Sequence, residues 1–408
     1  MNRYGTAVVL LIGVSAWNVL SGQVAAGTPS GSEETRDYFL KLCDRTVAEF
    51  NKELKGWKMA KDSDTTVHHM PFFEDSYGIR ALCVAYDMTG KKAYLDACMH
   101  WADQIVAFQE RMTPKGAYYI GYERLPGAKT GIWTVADSGS IGMGVLATAV
   151  RTTDPEKKAR YLNSIRSFAR LVIDSYVRPG GGITDGIYPS WEKEMWCAVE
   201  IFGSLMFLAY DETKDPKYLK VALGALDWMN RHDIRKPDHG YIWPMYSGVA
   251  FYTGEFYAVA LKHLPPGDPR RKACAPQIAG LLAWLKINQR GQGAKIGGAL
   301  GNVDYLEGTH MAGVPYVQLI FAQELPEYRD QAAIAAKEMA IFCGLIEATW
   351  AKDPRPVAER SKESIRVVNW ELTTFAMMSY AEKLYPGVLF RASHDRLPPR
   401  STTASECK

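Results

Sequence analysis

One pattern recurs along this chain: an apolar helix, a short turn marked by Asp-Pro or Thr-Gly, then an amphipathic helix. Tyr77–Met88 turns at Thr89-Gly90-Lys91 into Ala93–Phe108, and Ser140–Arg151 turns at Asp154-Pro155 into Tyr161–Ile173. Met195–Tyr210 pairs with Tyr218–Met229 across Asp215-Pro216, and Gly248–His263 leads through Asp268-Pro269 to Leu285. Met311–Gln323 and Tyr328–Ile346 make the fifth copy. The turns fall near residues 90, 154, 215, 268 and 326, at intervals of 53 to 64 residues. Single helices at Glu33–Leu54 and Val367–Leu384 flank the five hairpins, so twelve helices are expected. Asp-Pro suits these turns because Asp caps the next helix and Pro at its first position forfeits no hydrogen bond. The first helix of each pair carries few charges, whereas the second is charged on one face, as in Lys157–Arg170. An inner ring buried on all sides and an outer ring facing water account for the difference. The expected fold is all-α, an (α/α)6 toroid over residues 33–388.

Within hairpins the links are short, but between them they run over 57–75, 111–138, 177–194, 231–248, 289–310 and 351–366. Long links of this kind in a compact domain are usually functional. In this connectivity all six emerge at the N-termini of the inner helices and build one funnel. The chain has 11 Trp and 22 Tyr among its 408 residues, and many fall in these links: Tyr118, Tyr119, Trp133, Tyr188, Trp191, Tyr241, Trp243, Tyr246 and Tyr305. Amphipathic rings match sugars, which present apolar C–H faces and hydroxyl edges. The alternative is that the same rings pack the loops onto the barrel.

The N-terminus has one positive charge at Arg3, an apolar run and a small-residue Val24-Ala25-Ala26 site, which reads as a signal peptide over 1–26. A periplasmic or secreted protein follows, with no membrane attachment after its removal. The tail 392–408, with Pro398-Pro399 and Ser/Thr residues, is expected to be disordered. A net charge of +3 is too balanced for a nucleic-acid binder. None of the seven cysteines forms a CxxC pair. Cys83 and Cys98 flank the Thr89-Gly90-Lys91 turn and face each other across the hairpin, as free thiols or as a disulfide.

The densest polar cluster is Gly301-Asn302-Val303-Asp304-Tyr305-Leu306-Glu307-Gly308-Thr309-His310, preceded by Arg290 and Lys295. Such side chains suit proton transfer beside a carboxylate-bearing substrate. A second cluster spans Asp238-His239-Gly240-Tyr241 to Tyr246. His68 and His69 are adjacent and point apart, and no HExxH is present, so neither metal nor other cofactor is expected. Gly142-Met143-Gly144-Val145-Leu146-Ala147 matches GxGxxA but lies inside a helix with no strand before it, as core. Of the loop carboxylates Glu74, Asp75, Asp137, Asp185, Glu194 and Glu307, Asp137 and Asp75 each stand just before an inner helix, where capping and catalysis are both open.

The hairpin series, with Tyr94-Leu95, Tyr161-Leu162 and Tyr218-Leu219 starting its outer helices, resembles the six-hairpin glycosidase-like superfamily. Within it the chain looks most like the uronate polysaccharide lyases of the alginate or glucuronan type. That resemblance implies β-elimination on an acidic polysaccharide by a monomer or weak dimer. Tyr305 would serve as base and acid, with Tyr246 as substitute. His239, His310, Arg290 and Asn302 would neutralise and position the uronate. Trp133, Tyr188, Trp191 and Trp243 would be sugar platforms, joined in substrate binding by Tyr241, His69 and Asp137. The alternatives are a hydrolase of the same superfamily, pairing Asp137 with Asp75, Asp185 or Glu194, and a non-catalytic glycan-binding protein.

Overall fold

The computed structural model describes residues 32–56, 72–119, 133–186, 194–232, 247–288, 310–352 and 364–390. Twelve α-helices lie in these segments: α1 Ser32–Gly56, α2 Phe72–Thr89, α3 Lys92–Arg111, α4 Val135–Arg151, α5 Pro155–Ser175 and α6 Trp196–Thr213. They continue with α7 Pro216–Arg231, α8 Ser247–His263, α9 Pro269–Asn288, α10 Val314–Glu324, α11 Gln331–Lys352 and α12 Ser364–Leu384. The expected signal peptide and C-terminal tail lie outside the described residues.

Burial separates the helices as their charge pattern requires. Every residue of α6 from Cys197 to Ala209 is buried, whereas α5 buries only Tyr161, Ser164, Ile165, Phe168, Ala169 and Val172, the single face of an amphipathic helix. Helix α2 packs on α4, α4 on α6, α6 on α8, α8 on α10, α10 on α12, and α12 back on α2. This is a closed inner ring of six, the (α/α)6 toroid. Helix α1 packs on α12 and supplies the sixth outer helix. The ring closes tightly where side chains are absent: a Cβ on Gly139 would stand 2.9 Å from Ile201 Cγ2, and one on Gly203 2.5 Å from the Phe256 ring.

The Asp-Pro turns work as expected. Asp154 accepts from the Glu156 and Lys157 amides, Asp215 from Lys217 at 2.9 Å, and Asp268 from Arg270 at 2.8 Å. Two inner helices, α2 and α4, begin earlier than the apolar pattern suggests. Helix α4 starts at Val135, so Asp137 is not its cap; Thr134 is, accepting the Asp137 amide at 3.0 Å. Helix α2 starts at Phe72, which puts Asp75 inside its first turn as well. The fifth inner helix begins later instead: His310–Ala312 form a 3-10 turn, and Pro315 near the start of the helix that follows suits a fresh initiation at Val314.

Candidate active site

Because each hairpin returns the chain, the inner helices run parallel and gather their N-termini at one end. Among the described residues, three of them carry carboxylates near that end: Glu74 and Asp75 on α2, Asp137 on α4 and Glu200 on α6. Asp185 joins them from the segment before α6, where bridges from Thr134 to Gly186 and from Thr184 to Glu194 hold the backbone.

Asp137 and Asp185 form the pair at this mouth. The Asp185 Oδ1 accepts the Ala136 amide at 3.0 Å, and its backbone carbonyl accepts the Val135 amide at 3.1 Å. The carboxyl therefore sits over the first turn of α4, beside Asp137. With Thr134 capping and Asp185 covering the turn, Asp137 is released from capping and remains partly exposed. Burial pushes the Asp137 carboxyl up to about 6, against a lowering hydrogen bond from Thr134. Asp185, 3% exposed, is pushed up to about 8, by burial first and by the Asp137 charge as well, against the Ala136 amide. Both carboxyls are thus raised, and Asp185 keeps its proton to the higher pH.

The other two candidate partners of Asp137 each contact an outer-ring tryptophan. Asp75 is buried between ring layers, accepting the Trp101 indole N–H at 3.3 Å from outer helix α3. The Glu194 carboxylate and the Trp228 indole Nε1 of α7 both crowd against Gly182.

Beneath the mouth, Tyr77, Phe251 and Phe375 form an aromatic floor, with ring centroids 4.5 to 5.4 Å apart. The Tyr77 hydroxyl lies 3.2 Å from Ser140 Oγ on α4 and donates to Glu255 at 3.4 Å. Arg80 on α2 meets Glu255 on α8 at 2.7 Å, both side chains at most 2% exposed, and Tyr316 on α10 donates to Glu255 at 2.6 Å. Since α2 and α8 stand opposite in the ring, this ion pair spans the barrel axis. Across the floor from Asp137, the Tyr252 hydroxyl and His310 Nε2 are 2.8 Å apart, with the imidazole packed on Phe375 at 4.6 Å.

Deeper on α6, Glu200 is fully buried with one oxygen held by the Thr253 hydroxyl, and burial pushes it up to about 8. Sequence reasoning missed Arg80, Glu200, Tyr252 and Glu255. Arg80, Glu200 and Glu255 carried one signal: a charge inside an otherwise apolar stretch of inner helix.

Three of the expected site residues are described. Asp137 is at the mouth, and so is His310. Trp133 is at the rim but only 2% exposed, its ring edge-on to Tyr176 at 5.4 Å and covered by Gly186, so it packs the rim and offers no face to a sugar. Tyr118, likewise expected in the funnel, is buried with its hydroxyl 2.7 Å from Ser164 Oγ. Tyr305, Tyr246, His239, Arg290, Asn302, Tyr188, Trp191, Trp243, Tyr241 and His69 lie outside the described residues.

Solved structures share this architecture at low sequence identity. Dfg5 from Chaetomium thermophilum, in complex with glucosamine, matches with a TM-score of 0.56 at 14% identity, covering 88% of this chain and 93% of its own. A GH76 α-mannanase from Bacteroides thetaiotaomicron matches at 0.55 and 13% identity, over 85% of this chain and 96% of its own. An unsaturated glucuronyl hydrolase specific for heparin matches at 0.51 and 11%, over 85% and 98%. No family model matches the sequence, nor does any curated protein.

Proposed function

We propose that this protein is a glycoside hydrolase acting on a glycan at the N-terminal mouth of its toroid. The observation that carries the reading is the Asp137–Asp185 pair, two carboxyls at one site whose surroundings push both upward, to about 6 and about 8. Glycosidic hydrolysis needs one carboxyl that is protonated at working pH and one that is ionised. Asp185 would protonate the leaving oxygen, and Asp137 would act as base on water or as nucleophile. Two of the structural neighbours, an α-mannanase and an unsaturated glucuronyl hydrolase, are hydrolases by name, which favours hydrolysis over elimination. They also suggest the first substrates to try: α-mannan oligosaccharides and oligosaccharides ending in an unsaturated uronate.

Elimination is the second reading, and the Tyr252–His310 hydrogen bond favours it, since a His-paired Tyr suits proton transfer at a sugar carbon. One assay separates the two. Purified protein is incubated with those oligosaccharides and with alginate, glucuronan, pectin and glycosaminoglycans. New reducing ends without new ultraviolet absorbance indicate hydrolysis, and absorbance from a newly formed unsaturated uronate indicates elimination. Asp137→Asn is expected to lower turnover by about 10²–10⁴-fold. Unchanged turnover in that variant would exclude the carboxylate pair.

A further inference from the structure

The hairpin α2–α3 carries a feature the catalytic reading leaves unused. Cys83 and Cys98 place their sulfurs 3.8 Å apart, both fully buried, with Cys98 also 3.6 Å from the Ile79 carbonyl. Among the described cysteines no other pair of sulfurs is in contact. The contact follows from the hairpin: only Gly90 and Lys91 join α2 to α3, so residues seven before the turn and seven after it face each other. The guanidinium of Arg151 on α4, held by Asp87 at 2.6 Å, lies close by. Burial raises the Cys83 thiol, but contact with Cys98 and the Arg151 charge more than offset it, which favours the Cys83 thiolate as attacking sulfur.

We propose that Cys83 and Cys98 are a redox site that closes into a disulfide stapling the first inner helix to its outer partner. The chemistry balances with a small-molecule disulfide as oxidant, such as oxidised glutathione. The Cys83 thiolate attacks one oxidant sulfur and releases a reduced thiol. Cys98, giving up its proton, then attacks the mixed disulfide at the Cys83 sulfur and releases the second. Two protein thiols are oxidised and one disulfide is reduced. With both sulfurs buried, exchange happens before the hairpin is sealed into the ring or during local opening.

The test compares full-length protein produced under oxidising and under reducing conditions. Each sample is denatured, alkylated and mapped by mass spectrometry without reduction. The expected result in the oxidised sample is one linked peptide pair containing Cys83 and Cys98, two hydrogens lighter than the free thiols, with the other cysteines alkylated. Its melting temperature should exceed that of the reduced sample by roughly 3–6 °C, as expected for closing a loop of this length. Reductant should not shift the melting temperature of Cys83→Ala or Cys98→Ala. Alkylation of both residues in soluble, oxidised protein would overturn the proposal. So would a bridge from either to another cysteine such as Cys43, or aggregation confined to the oxidised sample.

Discussion

The carboxyl of Asp185 lends itself to a quantitative test. It is 3% exposed and is pushed from the ordinary 3.8 up to about 8. In the unfolded chain it ionises near its ordinary value, so above pH 4 unfolding releases a proton that the folded protein holds. A carboxyl raised on folding contributes most to stability below the unfolded value. That contribution is lost as pH rises towards 8 and stays lost above it. At about 1.4 kcal/mol per pH unit, the loss is about 4 kcal/mol at pH 7 and about 6 kcal/mol at pH 8 and above. Relaxation around the charge makes about 3–6 kcal/mol the working range. Asp185→Asn removes the titration yet keeps an oxygen to accept the Ala136 amide at 3.0 Å, and its NH2 stands in for the protonated hydroxyl. Denaturant unfolding at pH 4, 7 and 9 should find the variant equal to wild type at pH 4 and more stable by that range at pH 9. The same variant should lose hydrolytic turnover, because an amide cannot donate a proton to a leaving oxygen. Parallel stability–pH curves for the two proteins would refute the argument that Asp185 is protonated in the fold.

Two further substitutions probe the frame around the site. Arg80→Met leaves Glu255 buried with only its Tyr316 and Tyr77 donors, and should cost about 3–5 kcal/mol in denaturant unfolding; adding Glu255→Met should recover most of it, since the stranded charge is then gone. Trp133→Ala empties a site that is 2% exposed and should cost about 3–5 kcal/mol, with KM unchanged for any substrate the enzyme turns over; a raised KM at unchanged stability would restore Trp133 as a sugar platform.

Much of the architecture is legible in residues 33–388 because it rests on local rules. An inner helix surrounded by neighbours cannot carry charge cheaply, so α4 and α6 read as apolar on every side, whereas α5 and α7 show one apolar stripe. The Asp-Pro turns are legible for the same reason, since cap and first turn lie within three residues. Asp137 shows where such reading stops. Short-range rules leave it open between cap and catalytic residue; the fold gives capping to Thr134 and covers the turn with Asp185, 48 residues further on. Trp133 shows the converse, because residue type cannot tell an exposed ring from one sealed under Gly186.

The sequence by itself determined the number of helices, their pairing and which of each pair faces inward, because those depend on periodicity and on the cost of burying charge along one segment. Ring closure decided the rest. It set Arg80 of α2 across the axis from Glu255 of α8, and it brought Asp185 beside Asp137. A buried polar group needs a partner, but its identity depends on helices far apart in the chain, and only packing of the closed ring selects it.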